Sequence, residues 1–443
     1  MQQHYQVIIV GGGVTGSALA YLLAQHSSLD NIALLDKYDG IAKVNSAAKY
    51  NSQTLHSGDI ETNYSLEKAQ QVRAAADLVR RYALRQPNFD EIIFKSSKII
   101  LGVGEAEIDA IEKRHKLFAK SFEYMQLMDA KDIAEIEPKV AKGRRQPIKA
   151  IGTQADYCAV DFGNLARSFV ANAQQAKKRV DVLLNHQVLS TKRRGKTYQL
   201  QVKTPSGQRN FSADFVVFSA GAYSLTYAKS LGYGQNYGLL CVAGSFYFGN
   251  KTLNGKVYTI QNDKLPFAAV HGDPDICLEG QTRFGPTALI LPKLERYRSD
   301  TYLDYFKVLG LDVNIVKALL KLFKEKDIRN YIARNFAYEI PYIGQLLFVQ
   351  EVRKIVPLIK ANELKPAKGF GGLRPQIIDK DKQELVLGEA HINTPEGLIF
   401  NITPSPGAST CLHQGLKDAD KICQYLAADF DKAGFDETFK ELS

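Results

Sequence analysis

Residues 5–36 read YQVIIVGGGVTGSALAYLLAQHSSLDNIALLD, and the fold is decided by how this stretch alternates in character. Tyr5 to Val10 is a short apolar, β-branched run of the kind buried in a parallel sheet. Gly11-Gly12-Gly13-Val14-Thr15-Gly16 follows at once, Ser17 to Gln25 has helical spacing, and a second strand, Asn31 to Leu35, ends at Asp36. Strand, Gly-x-Gly-x-x-Gly, helix, strand and acid together form a dinucleotide-binding unit. Gly11 permits the tight turn, Gly13 lets the backbone approach a pyrophosphate, and Gly16 lets the helix pack closely on the strand. A pyrophosphate there meets free N–H groups at the positive end of the helix. Asp36, twenty positions after Gly16, is placed to accept a ribose hydroxyl and to repel a 2′-phosphate, which disfavours NADP. The bland alternative is a glycine-rich turn without a ligand, but all the parts stand in register.

Outward from this unit the chain turns polar. Ser46 to Asn63 (SAAKYNSQTLHSGDIETN) has little periodicity where an NAD dehydrogenase continues with βα repeats, and that departure favours FAD. Helices are expected over 66–86, Ile108 to Phe122 and Asp161 to Ala176, the last capped by Asp161, with Glu137-Pro138 ending another helical stretch. Phe94 to Leu101 and Ile151 to Asp156 read as strands. Period-two alternation then marks a meander of Val180 to Leu184, Gln187 to Lys192, Tyr198 to Thr204 and Gln208 to Phe211, turning at Pro205-Ser206-Gly207. It feeds Ala213 to Ser224, read as another buried strand ending at small residues. Strands and a helical region from about Val313 to Ala333 occupy 239–350; Gly397 to Ile402 is a strand, Thr403 to Ala408 a loop, and Ser409 to Ala428 a helix.

The 443 residues amount to about three domains of chain, or two if one is discontinuous. Hydrophobic residues at 45% and charged residues at 23% are an ordinary globular mix, which excludes disordered and collagen-like classes. No window approaches the ~20 apolar residues of a membrane-spanning helix. The N-terminus lacks a basic leader segment, so no signal peptide is expected. Five scattered cysteines with no CxxC pair make neither a disulfide framework nor a zinc site, and no metal site is expected. A net charge of +10 suits an acidic substrate, a phosphate-bearing cofactor, an anionic membrane or nucleic acid, and by itself selects none. No recognition helix or aromatic-interleaved basic motif supports nucleic acid.

VIIVGGGVTG (7–16), DFVVFSAGAYS (214–224) and TPSPGAS (403–409) resemble the FAD-dependent oxidoreductases of the D-amino-acid oxidase superfamily. NSQTLHSG (51–58), VHGDPD (270–275), TRFGPTA (282–288) and GLRPQ (372–376) resemble its branch containing L-2-hydroxyglutarate dehydrogenase. With VAGSFYF (242–248) and PKLER (292–296) in the same order, the whole chain is most similar to the epsilonproteobacterial type of FAD-dependent malate:quinone oxidoreductase. The resemblance implies an α/β (α+β) fold: a Rossmann-like FAD-binding domain of glutathione-reductase type over 1–90, 151–235 and 376–443, and a substrate-binding cap built on a large mixed sheet over 91–150 and 236–375. It implies FAD contacts at Gly11, Gly13, Gly16, Asp36, Lys37, Ser52, Gln53 and Thr54, with Val188 at the adenine and Ala220 and Gly221 along the pyrophosphate. Gly407, Ala408 and Ser409 would present a helix N-terminus to the electron-rich edge of the flavin, non-covalently bound.

Oxidising a 2-hydroxy acid needs a carboxylate clamp, a base for the hydroxyl proton and an acceptor for hydride. An arginine fork suits the clamp, and Arg374 in Gly-Gly-Leu-Arg-Pro is the first candidate, in line with the superfamily's motif. His271, read as following an apolar strand from Phe267 to Val270, is favoured as the base over His56 in the Leu55-His56-Ser57-Gly58 loop. Asp273 or Asp275 would orient it. Arg283 stands between holding a second carboxylate and forming a surface salt bridge; the remaining histidines read as structural. The expectation is therefore an enzyme that oxidises L-malate to oxaloacetate and passes electrons to membrane quinone. Alternatives are L-2-hydroxyglutarate or another 2-hydroxy acid as substrate, oxygen as acceptor, an amino-acid oxidase, or a flavin-binding protein without catalysis. Val313 to Ala333 reads either as a basic amphipathic helix at a membrane interface or as a helix with a solvated basic face. The expected location is cytoplasmic, with peripheral contact at the inner face of the membrane.

Overall fold

The computed structural model describes residues 3–261, 269–386, 390–402 and 406–441. At its centre the strand Gln3–Val10 lies parallel between Asn31–Leu35 and Gly207–Phe218. Arg179–Leu183 extends this sheet in parallel on one side and Leu398–Ile402 on the other, with Ala390–Asn393 antiparallel at the edge. Alternate residues serve two cores. Val7, Ile9, Ile32 and Leu34 pack under the helices Val14–His26, Phe162–Gln174 and Cys411–Leu426. Ile8, Val10, Ala33 and Leu35 pack against the meander and a four-stranded antiparallel sheet. Burial on both faces is why these strands read as unbroken apolar runs.

The four-stranded sheet pairs Tyr237–Ala243 with Leu373–Asp379, flanked by Leu289–Ile290 and Glu384–Val386. A second eight-stranded sheet runs from Lys365–Pro366 through Tyr247–Asn250, Gln281–Gly285, His271–Pro274, Lys256–Thr259, Ile93–Val103 and Ile148–Val160 to Gln126–Met128. Its pairings are antiparallel except Lys256–Thr259 with Ile93–Val103, so the sheet is mixed. Four helices, Tyr302–Leu309, Val313–Lys324, Lys326–Tyr338 and Ile343–Arg353, form a helical excursion on this half of the molecule. No helix among the described residues is long and apolar enough to cross a membrane.

Several sequence expectations are corrected here. The divisions at 150/151 and 375/376 each fall inside a single strand, because Ile148–Val160 stays paired with Ile93–Val103 along its length and Leu373–Asp379 stays paired with Tyr237–Ala243. Arg179–Leu183 is no part of the meander; it pairs in parallel with Asn31–Leu35. Gly207–Phe218 is one continuous strand rather than two. The helical region from Val313 is broken at Glu325, which caps the next helix in an extended conformation. Of the expected strand at 267–270, Phe267 and Ala268 lie outside the described residues, and the observed strand starts at His271. Thr403 to Ser405 of the expected late loop also lie outside them, and the helix after it begins at Cys411.

Candidate active site

The glycine turn shows each residue's work. Gly11 has φ +113°, and a Cβ there would stand 2.4 Å from the Ser219 carbonyl oxygen. A Cβ on Gly16 would stand 2.0 Å from the Gly11 carbonyl oxygen, so this glycine serves helix packing and not the ligand face. Gly12, which the motif leaves open, donates its N–H to Asp36 Oδ2 at 2.7 Å, while Tyr38 N–H donates to Oδ1 at 2.8 Å. Burial raises the Asp36 pKa against the pull of those two donors.

A cleft of about 1750 Å³, partly open to solvent, starts at this turn. Gly11, Gly13, Asp36 and Lys37 line it, as do Ser52, Thr54, His56 and Arg374. Val188, Ala220 and Gly221 form another part of its wall, and Gly407, Ala408 and Ser409 a further one. Thus elements three hundred and more residues apart converge on one elongated space. His186, read as structural, also lines it, with its Nδ1 against the Leu184 carbonyl at 2.7 Å. Gln53 does not line it. That residue is buried at φ +51°, accepts the Ile276 N–H at 3.0 Å and donates to the Ala48 carbonyl at 3.2 Å, so it ties the loop to the second sheet.

Lys37 lies over the Tyr223 ring, 3.9 Å from its centroid, and pairs with Glu295. Glu295 also accepts from the Tyr38 and Tyr223 hydroxyls, and Lys37 holds its carboxyl below the usual range despite burial. Glu295 comes from 258 residues away, and no local pattern announces it.

The two candidate bases separate cleanly. His56 lines the cleft; its Nδ1 faces Glu61 Oε1 at 2.5 Å and its Nε2 faces Ser52 Oγ at 3.4 Å. Its backbone N–H donates to Ser409 Oγ at 2.9 Å, joining this loop to the turn at 406–410. Arg114 holds the rest of the loop by donating to the carbonyls of Gly58, Glu61, Thr62 and Tyr64. His271 is outside the cleft lining and buried, stacked on Tyr258 with ring centroids 4.4 Å apart. Loss of water pushes its pKa down to about 3, against the attraction of Asp273. Among the described residues, His56 and not His271 therefore meets the cleft.

Arg283 is not at the surface, which corrects its reading as a surface salt bridge. It is wholly buried, pairs with Asp273 at 2.8 Å and Asp275 at 3.2 Å, and donates to the carbonyls of Asn51 and Ser52 at 3.0 Å. Its charge is fully employed in fastening the 51–56 loop to the second sheet, leaving no fork for a substrate. Arg374 is the opposite case. It sits on the cleft wall at the start of Leu373–Asp379, and among the described residues no hydrogen-bond acceptor or carboxylate is paired with it. Burial lowers its pKa, with Tyr331 and Tyr258 near enough to oppose that shift, and a guanidinium remains charged under such a load.

A dinucleotide-type turn and a cleft lined both by a histidine held by a carboxylate and by an arginine without a carboxylate partner among the described residues define a nucleotide-cofactor oxidoreductase. The comparisons narrow this. The pattern of the family described as malate:quinone oxidoreductase matches residues 3–429. A probable malate:quinone oxidoreductase of Campylobacter jejuni is 43% identical, covering 98% of each chain, and the malate:quinone oxidoreductase of Helicobacter pylori (strain 26695) is 41% identical over 100% of this chain and 99% of its own. The chain belongs to the malate:quinone oxidoreductase family. Among solved structures, dithionite-reduced L-alpha-glycerophosphate oxidase from Mycoplasma pneumoniae with FAD bound superposes with a TM-score of 0.64, at 19% identity over 96% of this chain and 95% of that one. The fold is therefore that of FAD-dependent oxidoreductases.

The residues fit such a cofactor on geometric grounds. A Cβ on Gly221, at φ +58°, would meet no atom within 4 Å, and one on Gly13 would meet only Ser46 Oγ, at 3.3 Å. Bare backbone therefore faces the cleft where a diphosphate needs close approach, beside the N-terminus of Val14–His26.

Proposed function

We propose that this enzyme binds FAD non-covalently in the cleft and oxidises L-malate to oxaloacetate, with quinone as the electron acceptor. The observation that carries the reading is Arg374, half-buried on the cleft wall and without a carboxylate partner among the described residues. A partly desolvated guanidinium without a carboxylate favours an anion that completes it, and its planar fork matches a substrate carboxylate.

Asp36 would hold the ribose of the cofactor, the Gly11–Gly13 turn and Gly221 its diphosphate, and the 406–410 turn its flavin. Bound FAD supplies a two-electron acceptor for the hydrogen on the malate α-carbon. Arg374 holds the α-carboxylate and fixes the orientation of that carbon. His56 Nε2 takes the proton of the C2 hydroxyl; Glu61 at Nδ1 orients the ring and stabilises the imidazolium that forms. Each turnover removes two electrons and two hydrogens from malate and delivers them to the quinone as quinol.

Anaerobic titration with L-malate and with L-2-hydroxyglutarate, followed in the flavin band, tests this. Bleaching by malate, with recovery on adding quinone, is the expected result; bleaching by hydroxyglutarate alone refutes the substrate. His56→Gln is expected to lower kcat on the order of 10²–10⁴-fold. Arg374→Lys is expected to lower kcat/KM on the order of 10²-fold, chiefly through KM.

A further inference from the structure

Most of the exposed large hydrophobic side chains lie between Tyr297 and Leu358; elsewhere Phe89, Leu117, Leu127, Leu189, Leu278 and Tyr425 are scattered singly. Single exposed apolar residues are ordinary, but a cluster calls for a partner. The helix Val313–Lys324 carries three stripes. Ile315, Ala318 and Leu319 face inward, in the core shared with Leu239, Leu240, Ile377 and Ile378. Val313, Val316 and Leu320, at i, i+3 and i+7, form an exposed apolar stripe, with Val313 68% and Leu320 56% exposed. Lys317, Lys321 and Lys324 form an exposed basic stripe beside it, and the helix contains no acid. A second exposed apolar group, Phe336, Ile340, Tyr342, Ile343, Leu346 and Leu347, surrounds the turn into Ile343–Arg353. There Tyr342 takes φ +64° and is 85% exposed, an aromatic side chain on a backbone conformation that L-residues avoid.

We propose that the helix Val313–Lys324 and the 340–347 turn are a monotopic docking surface that lies in the headgroup region of an anionic lipid bilayer. Apolar side chains enter the acyl boundary while the adjoining lysines meet lipid phosphates. A second copy of this chain is a poorer occupant, because a two-fold interface on this helix would set one lysine stripe against another. Position relative to the active site supports the same reading. Ile315 of the inner stripe packs against Gly238 of Tyr237–Ala243, the strand paired with Leu373–Asp379, which carries Arg374. Tyr331, on the next helix, feels the charge of Arg374. Docking here brings a lipid-dissolved acceptor to the half of the molecule that holds the substrate clamp, and in that respect the inference rests on the quinone reading above.

The test pairs flotation with two activity assays on the FAD-loaded full chain. Wild type is expected to float with phosphatidylethanolamine vesicles containing phosphatidylglycerol and to bind phosphatidylcholine vesicles on the order of tenfold more weakly. Val316→Gln with Leu320→Gln, and separately Leu346→Gln with Leu347→Gln, are each expected to weaken flotation about tenfold or more. Each should also lose turnover with vesicle-embedded long-chain quinone while keeping malate oxidation with a water-soluble dye acceptor. Flotation unchanged in both double variants overturns the proposal. So does a wild type that ignores anionic vesicles, including one that forms a dimer which these substitutions dissociate. Failure of the wild type to oxidise malate with the soluble dye refutes the functional reading instead, and leaves flotation to be judged by itself.

Discussion

His271 and His56 differ less in sequence than in surroundings. Both follow an apolar residue in a glycine-containing segment, yet one meets the cleft and the other is enclosed against Tyr258. The enclosure makes a thermodynamic prediction. An unfolded histidine titrates near ~6.5, whereas His271 in the fold is pushed down to about 3. Below about pH 6.5 the unfolded chain therefore takes up a proton that the folded chain refuses, and stability falls by up to about 1.4 kcal/mol per pH unit until about pH 3. Glu137, buried and raised to about 7, works in the opposite direction at mildly acidic pH, so the comparison is best made against a variant. Between pH 6 and pH 4, wild type is expected to lose about 2 kcal/mol more stability than His271→Gln, measured by urea unfolding. Catalysis at neutral pH should depend far more on His56 than on His271.

At the scale of elements, the glycine turn works through contacts that a Cβ would destroy. Gly16→Ala would drive a methyl group onto the Gly11 carbonyl, where only backbone movement gives relief. The expected cost is about 1–3 kcal/mol of stability with a marked loss of retained flavin, read from thermal melts and from the absorbance ratio of purified protein. The extended loop from Asn51 to Tyr64 has no secondary structure to hold its shape, so buried cations do so: Arg283 on the carbonyls of Asn51 and Ser52, Arg114 on those of Gly58 to Tyr64, and Lys98 on Asp59 at 2.7 Å. The loop was visible in the sequence as polar and aperiodic, but its anchors lie far along the chain and carry no spacing signal. Glu61, five residues after His56, escaped notice for the same reason.

Over the whole molecule, the net charge of +10 bears on the proposed docking surface through the lysines that adjoin its exposed apolar stripe. Vesicle binding is expected to weaken several-fold as salt rises from about 0.05 M to about 0.5 M, since the Debye length shrinks from above ~10 Å to a few ångströms. It should not vanish, because the apolar stripe is insensitive to screening. Complete release by salt would mean that Val316, Leu320 and Leu346 do not enter the acyl boundary, and flotation across a salt series decides between the two.

What the sequence determined by itself is local and periodic. The first strand, glycine turn, helix and acid were legible because each rests on neighbours within a few residues, as were the Asp161 cap and the arginine before Pro375. Family resemblance extended that reading to the cofactor and substrate class. The tertiary structure alone decided which charged side chains are free. Arg283 and Arg374 both sit in glycine- and proline-containing motifs, and only folding brings Asp273 and Asp275 to the first while leaving the second without a carboxylate among the described residues. The same holds for the two histidines and for the exposed stripe at Val313–Lys324. Charge pairing and burial are set by contacts between residues distant in the chain, and sequence spacing carries no record of them.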